Sequence, residues 1–498
     1  MSDQSRALPD RPSLRYLKLE AKRRLFAGEF ATLHQAQLTI AREHGLSSWT
    51  ALKEHIKAAA PPSHALTQVR WVMSRFAAAG TPEWTAPDEE ELRQHFDDHY
   101  LGLMPPDKLT DLLGAVAQRL REELVDVRTD PTRLRARAAD LRIEAATETD
   151  PPYRLRSLRL YPLETKVKDP RVAAPATHTS GHVPEEAAAV AAESFTDLGL
   201  VGLIVASTTD DGSVWVTARG WANLEQPEVL LPEHRFPAHA ITKLITATAV
   251  LRLVADGQIG LDEPANAYLR AIRLANDAVT VRELLSHTGG VNNPASMFGD
   301  RVSELVSVTE PVAACGGPRG TFAYGHGGYA LLGQLIADVT ASSYEDAATR
   351  MVLEPLGMND SWFPSSWPAK GATTGHHLTD GGMFEPAPAQ VSLVPAAGGL
   401  WTTAADLVRF GLAWSSLLPG TLAREALRPQ AKRDDLGGQA GLGWMLMPPK
   451  DVAGHPGAGP GCSASLIIRP STGEPWVVLT NRQVLVEAIN ERLALPIA

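Results

Sequence analysis

Four short stretches carry the residue types able to do acid, base or nucleophilic chemistry. Phe236 to Leu269 opens with Ala240 and Lys243 and reads on as an apolar helix stopped at Gly257. Residues at i and i+3 share a helix face, so the Lys243 amine reaches whatever stands at 240. A helix start at that position also favours developing negative charge. Tyr324-Gly325-His326 and His455-Pro456-Gly457 each place titratable rings beside glycines. His178 and His182 have a spacing suited to metal, but they sit in a Pro-, Thr- and Gly-rich run without carboxylates or thiols, which reads as an exposed linker. Cys315 and Cys462 lie far apart, without CxxC or Cys/His ligand spacing. No disulfide framework, zinc site or other metal site is expected.

The elements that must position these residues follow from patterning. A length of 498 residues favours two or three domains. Residues 1–60 read as a helical module, from the spacing of Leu14, Leu17, Ala21 and Leu25 and the restart at Trp49, Leu52 and Ile56. Ala60-Pro61-Pro62-Ser63 marks a linker. Residues 64–165 pass from helices at Val69–Ala79, Glu89–Leu101 and Leu109–Leu124 to period-two alternation at Leu134, Ala136, Ala138, Leu141, Ile143 and Ala145, a small α+β domain. A linker is expected over 166–189. The last domain, 190–498, opens with strands Leu198–Ser207 and Val214–Ala218. It closes with strands Ser465–Ile468 and Trp476–Thr480 and a helix from Val484 to Leu495. That is the pattern of a sheet assembled from the two ends of a domain, with long helical runs between.

The formal net charge of −10 argues against nucleic acid or an anionic membrane as partner. The opening MSDQSRALPDRPSL has no apolar core behind a basic start, and no later run is long enough to span a bilayer, so a soluble, cytoplasmic protein is expected.

Taken together, the motifs resemble those of the serine β-lactamases, penicillin-binding proteins and related esterases. Ala240-x-x-Lys243 with its continuation LRLVADGQIGLDEP is similar to the family's Ser-x-x-Lys helix, with alanine at the nucleophile position. Tyr324-Gly325-His326 resembles the Tyr-x-Asn element of the class C branch, and His455-Pro456-Gly457 resembles the Lys-Thr-Gly strand in a His-x-Gly variant. LLSHTGG, EPLGMNDSWF, AAGGLWTTAADLVRF and GLGW follow in the family's order, so the resemblance covers about 190 to 498. It implies a C-terminal β-lactamase/transpeptidase-like fold, an antiparallel sheet flanked by helices with an all-helical region. It also implies a covalent acyl-enzyme route on a small-molecule ester, amide or lactam, with no cofactor. In that route Lys243 and Tyr324 move the nucleophile's proton, the phenol being ionised beside the lysine ammonium. The amides of 240 and Ala458, beside Gly457, form the oxyanion hole, and His326 and His455 orient the substrate. An imidazole at 455, with its reference pKa of about 6.5, implies weak, pH-dependent recognition of a substrate carboxylate. His287 is expected to be structural. His239 lines the cleft or caps the helix start, and Trp401 and Trp444 are cleft walls or core. Residues 64–165 resemble the NTF2-like, steroid-isomerase-like domain that precedes a β-lactamase-like domain in some actinobacterial proteins, one of them from clavulanic acid biosynthesis.

Alanine has no oxygen to attack a carbonyl, so the chain as given is expected to be nearly inactive. One missing oxygen with every other landmark kept is what a Ser-to-Ala replacement at 240 produces. The alternatives are a natural ligand-binding relative without the serine, or an acyltransferase of a biosynthetic pathway.

Overall fold

The computed structural model describes residues 14–53, 63–173, 175–301, 311–368, 371–433 and 438–494. The expected linker residues 60–62 and the end of the last helix at Leu495 lie outside them. The chain divides into two compact units, 1–139 with 143–159, and 140–142 with 160–498.

In the first unit α1 (Leu14–Phe26) and α2 (Leu33–Glu43) contribute to a core of Leu17, Ala21, Ala36, Ile40, Ala41 and Leu52, of which Leu17, Ala21 and Leu52 are periodic positions named from the sequence. Thr32 caps α2 by accepting from the Gln35 amide, and Ser63 caps α3 (His64–Phe76) in the same way. The single helix expected over 89–101 is two, Glu89–His95 and Asp98–Leu103. Phe96 is extended between them, and Asp97 starts the second by accepting from the Tyr100 amide. A four-stranded sheet follows in the order β1 (Val125–Thr129), β2 (Arg133–Ala138), β3 (Leu141–Thr147), β4 (Leu155–Pro162). Along β2 the alternate residues Leu134, Ala136 and Ala138 are buried, as the period of two requires.

The second unit is built on an antiparallel sheet. Its elements are β5 (Thr177–Ser180), α4 (Glu185–Asp197), β6 (Gly202–Thr208), β7 (Val214–Asn223), α5 (Thr242–Ala255), α6 (Gly327–Thr340), α7 (Ala404–Ala413), β8 (Met445–Met447), β9 (Val452–Gly459), β10 (Cys462–Ile468), β11 (Pro475–Thr480) and α8 (Glu487–Ala494). The sheet runs β8-β9-β10-β11-β6-β7-β5, with two short strands, Ala431–Lys432 and Gln439–Ala440, beyond β8. Strands from the two ends of the unit pair at its middle, Leu203 opposite Thr480 and Ala206 opposite Val477.

Both faces of that middle are covered, which is why β6 and β11 read as unbroken apolar runs. Leu203, Val205, Trp476 and Val478 pack with α4 and α8, while Ile204, Ala206, Val477 and Leu479 face the large core around α5, α6 and α7. The stretch 166–189, expected as a linker, contributes β5, paired with β7 from Thr177 opposite Arg219 to Ser180 opposite Val216. Helix α4 then starts at Glu185. Three of the four β5 residues are exposed, so this edge strand has no apolar alternation to betray it.

Candidate functional site

Ala240 sits in the turn His239–Ile241 that leads directly into α5. Lys243, one turn on, is fully buried. Its Nζ donates to the Ala397 carbonyl at 3.1 Å and lies 3.2 Å from His326 Nδ1. The Tyr324 and Tyr329 rings stand 5.1 and 5.6 Å from the same nitrogen. A charge enclosed this way loses its hydration with no carboxylate in return, and burial pulls the amine from 10.5 down to about 7.

The Tyr324-Gly325-His326 loop is held from behind by two residues that the sequence did not mark for this task. The Ala323 amide donates to the His287 carbonyl at 2.9 Å and the Gly325 amide to His287 Nδ1 at 3.4 Å. Asn293 Oδ1 accepts from the amides of His326 at 2.7 Å and Gly327 at 3.3 Å, fixing the start of α6. The His287 ring also packs 4.8 Å from Tyr324, in keeping with a structural role. Desolvation raises the Tyr324 hydroxyl above its ordinary range, and the Arg433 charge only partly opposes this. Burial thus favours a neutral phenol beside a half-protonated amine, against the lysine-stabilised phenolate expected from sequence. Burial, reinforced by Lys243, likewise takes His326 down to about 3.

Strand β9 supplies the third wall. Beyond Gly454 it pairs with β10 alone among the described strands, because β8 reaches only Val452–Gly454. Pro456 has no N–H to give a ladder, and it is tolerated where the backbone of its position points to the free edge. Backbone groups alternate sides along a strand, so Ala458 shares that free edge with Pro456. His455, Gly457 and Gly459 lie on one side-chain face, toward the 238–240 turn. A Cβ on Gly457 would run into the Ala238 carbonyl, and one on Gly459 into the His239 ring. Glycine at both positions lets the turn carrying residue 240 approach β9. Gly457→Ala is expected to force the two apart and to destabilise the unit by about 1–3 kcal/mol, measurable as a lowered thermal midpoint.

His455 is 1% exposed, and burial followed by the Lys243 charge lowers its pKa to about 3. Burial thus works against the pH-dependent cation expected there and favours the neutral ring. His239, with a left-handed φ of 47°, lies edge-on 5.8 Å from Phe298, and burial lowers it to about 4. Trp401 and Trp444 are core: Trp444 packs 4.7 Å from Trp414 and Trp401 packs 4.8 Å from Trp367. Thr242 is fully buried and accepts from the Leu400 amide, away from the cleft. Arg433, which sequence reasoning missed, stands 5.8 Å over the Phe322 ring, and its charge reaches Tyr324, His287 and His455. Among the described residues no three or more His, Cys, Asp or Glu side chains are grouped to hold a metal ion, and no helix is long and apolar enough to cross a membrane.

Residues 176–496 match a family model described as beta-lactamase. Penicillin-binding protein 4 of Amycolatopsis lactamdurans is 27% identical over 299 residues, 54% of this chain and 78% of that protein. Esterase EstB of Burkholderia gladioli is 29% identical over 301 residues, 51% of this chain and 76% of that protein. The octameric penicillin-binding protein homologue from Pyrococcus abyssi shares the fold, with a TM-score of 0.54 at 24% identity over 62% of this chain and 76% of that one.

Proposed function

Because this chain belongs to the beta-lactamase family, we propose that the cleft around Ala240 is an acyl-transfer site for small-molecule esters, amides or lactams, complete except for the nucleophile's oxygen. The observation that carries this reading is Lys243. Its amine is buried one turn from position 240, tethered to Ala397 and His326 and poised near neutrality, independently of any side chain at 240. A base of that pKa is half unprotonated at neutral pH, which suits proton removal from a hydroxyl.

With serine at 240, Lys243 takes the hydroxyl proton as the oxygen attacks the carbonyl. Tyr324, a neutral phenol, relays a proton to the leaving group. The amides of residue 240 and Ala458 receive the oxyanion, one from a helix start and the other from a free strand edge. With alanine at 240 the same groups bind the carbonyl compound and no bond forms. We read Ala240 as the replacement of a serine and residues 64–165 as an NTF2-like domain to which no chemistry is assigned.

The test compares the chain with its Ala240→Ser variant against a chromogenic ester, a chromogenic cephalosporin and an acylating inhibitor, read by intact mass. An adduct is expected on the serine form alone, on the peptide carrying residue 240. A serine form that gains no adduct and turns nothing over refutes the proposal.

A further inference from the structure

We propose that His455 sets the ligand class of this cleft, its Nε2 being a fixed hydrogen-bond acceptor that takes an uncharged N–H or O–H donor beside the scissile carbonyl and turns away a carboxylate. The inference rests on the acyl-transfer reading of the cleft and adds the substrate class to it.

The tautomer follows from one contact. His455 Nδ1 lies 2.6 Å from the Pro456 carbonyl oxygen. A carbonyl can only accept, so Nδ1 carries the proton and donates. A neutral imidazole has one N–H, which leaves Nε2 with its lone pair. Nε2 is buried and has no hydrogen-bond partner among the described residues. Buried acceptors without partners are uncommon in folded proteins, and one in a cleft marks a place a ligand's donor fills.

The direction of the ring follows from the strand. His455 shares its side-chain face with Gly457, whose missing Cβ points at Ala238, so the imidazole looks toward the turn bearing residue 240. It stands 5.8 Å from the Tyr324 ring. The charged and titratable groups around it are Lys243, Arg433, His326, His287 and Tyr324. None of them supplies a second proton to Nε2. The Lys243 amine is committed to Ala397 and His326, Arg433 lies over the Phe322 ring, His326 and His287 are themselves held neutral by burial, and the phenol forms no hydrogen bond to the ring.

A carboxylate offers only acceptor oxygens. Against the Nε2 lone pair in a desolvated site it meets repulsion and loses its hydration as well. A carboxamide or hydroxyl donates to the same nitrogen and satisfies it. The discrimination of a built acceptor against a group that cannot donate is large, because the mismatch leaves buried polar groups unpaired.

The alanine chain cannot be acylated, so stable ligands can be weighed on it directly. Calorimetric titration compares succinanilic acid with its primary amide, two probes that differ only in a terminal carboxylate or carboxamide. The amide is expected to bind at least tenfold tighter. His455→Leu should abolish that preference and His455→Lys reverse it. Long-range 1H–15N correlation of histidine-labelled protein, with His455→Gln to assign the signal, should show the Nδ1–H tautomer unchanged from about pH 5.5 to 8.5. Equal or tighter binding of the acid, binding of neither probe, a ratio indifferent to His455→Leu, or a ring that titrates in that window overturns the inference. An Ala240→Ser protein that forms an adduct while the probes bind without preference would spare the acyl-transfer reading and remove only this one.

Discussion

Ala240→Ser is expected to raise ester turnover by a factor on the order of 10^5 to 10^6, the amount a missing nucleophile removes from a serine protease. The rate should also climb with pH through a midpoint near 7. The buried amine of Lys243 is the group that must be unprotonated to accept the serine proton, and burial places it at about 7. Below that value the ammonium dominates and the rate falls. The Tyr324 hydroxyl, raised above its ordinary range, stays protonated throughout and contributes no limb near neutrality. Lys243→Met in the serine background should flatten the profile and remove on the order of 10^2 to 10^4 in rate. A kcat/KM profile between about pH 5.5 and 9 decides the matter; a limb that begins only above pH 9 would assign the base to the phenol instead.

The same substitution in the alanine chain should do the opposite to stability. Lys243→Met is expected to stabilise the second unit by about 1–3 kcal/mol at pH 6, since a buried charge exchanged for an apolar chain of similar length sheds a desolvation cost. The sign follows from linkage. In the folded state the amine's pKa is about 7, against 10.5 when solvated. Between those values the unfolded chain holds a proton that the folded one lacks, so stability rises with pH across the window. Below 7 the penalty is at its fullest and the methionine gains most. Toward pH 10.5 the penalty vanishes, leaving only the lost hydrogen bonds to Ala397 and His326, so the gain should shrink or change sign. Calorimetric midpoints at about pH 6 and 9.5 measure both ends, and a gain that does not depend on pH would contradict the buried-ammonium account.

Lys243 stands in a four-residue pattern and Tyr324 and His455 in three-residue ones, and the order of the motifs pointed to the approach of their side chains. The alternation of β2 and the apolar runs of β6 and β11 likewise announced their strands. What holds the site was not legible. Asn293 grips the His326 amide, Ala397 holds Lys243 with its main chain, and Arg433 approaches Tyr324 from a distant edge. No local spacing records such contacts. Protonation states escaped for the same reason: the difference between an imidazole near 6.5 and one near 3 is set by enclosure, a property of the packed unit. Strand β5 hid behind a polar, proline-flanked composition because it has solvent on one side and only β7 to satisfy.

The pairing of β6 with β11 bears on how the chain comes to be folded at all. During synthesis the β6–β7 hairpin emerges early, apolar on both faces, while the strand that must lie beside it is still more than half the chain away. Contacts that distant close slowly, because the intervening segment gives up its freedom before any pairing repays it. For the whole of that interval the hairpin offers an unpaired edge to other nascent chains. The middle of the sheet is therefore completed only once the C-terminal strands are made, and the yield of folded protein depends on how well that waiting edge is shielded.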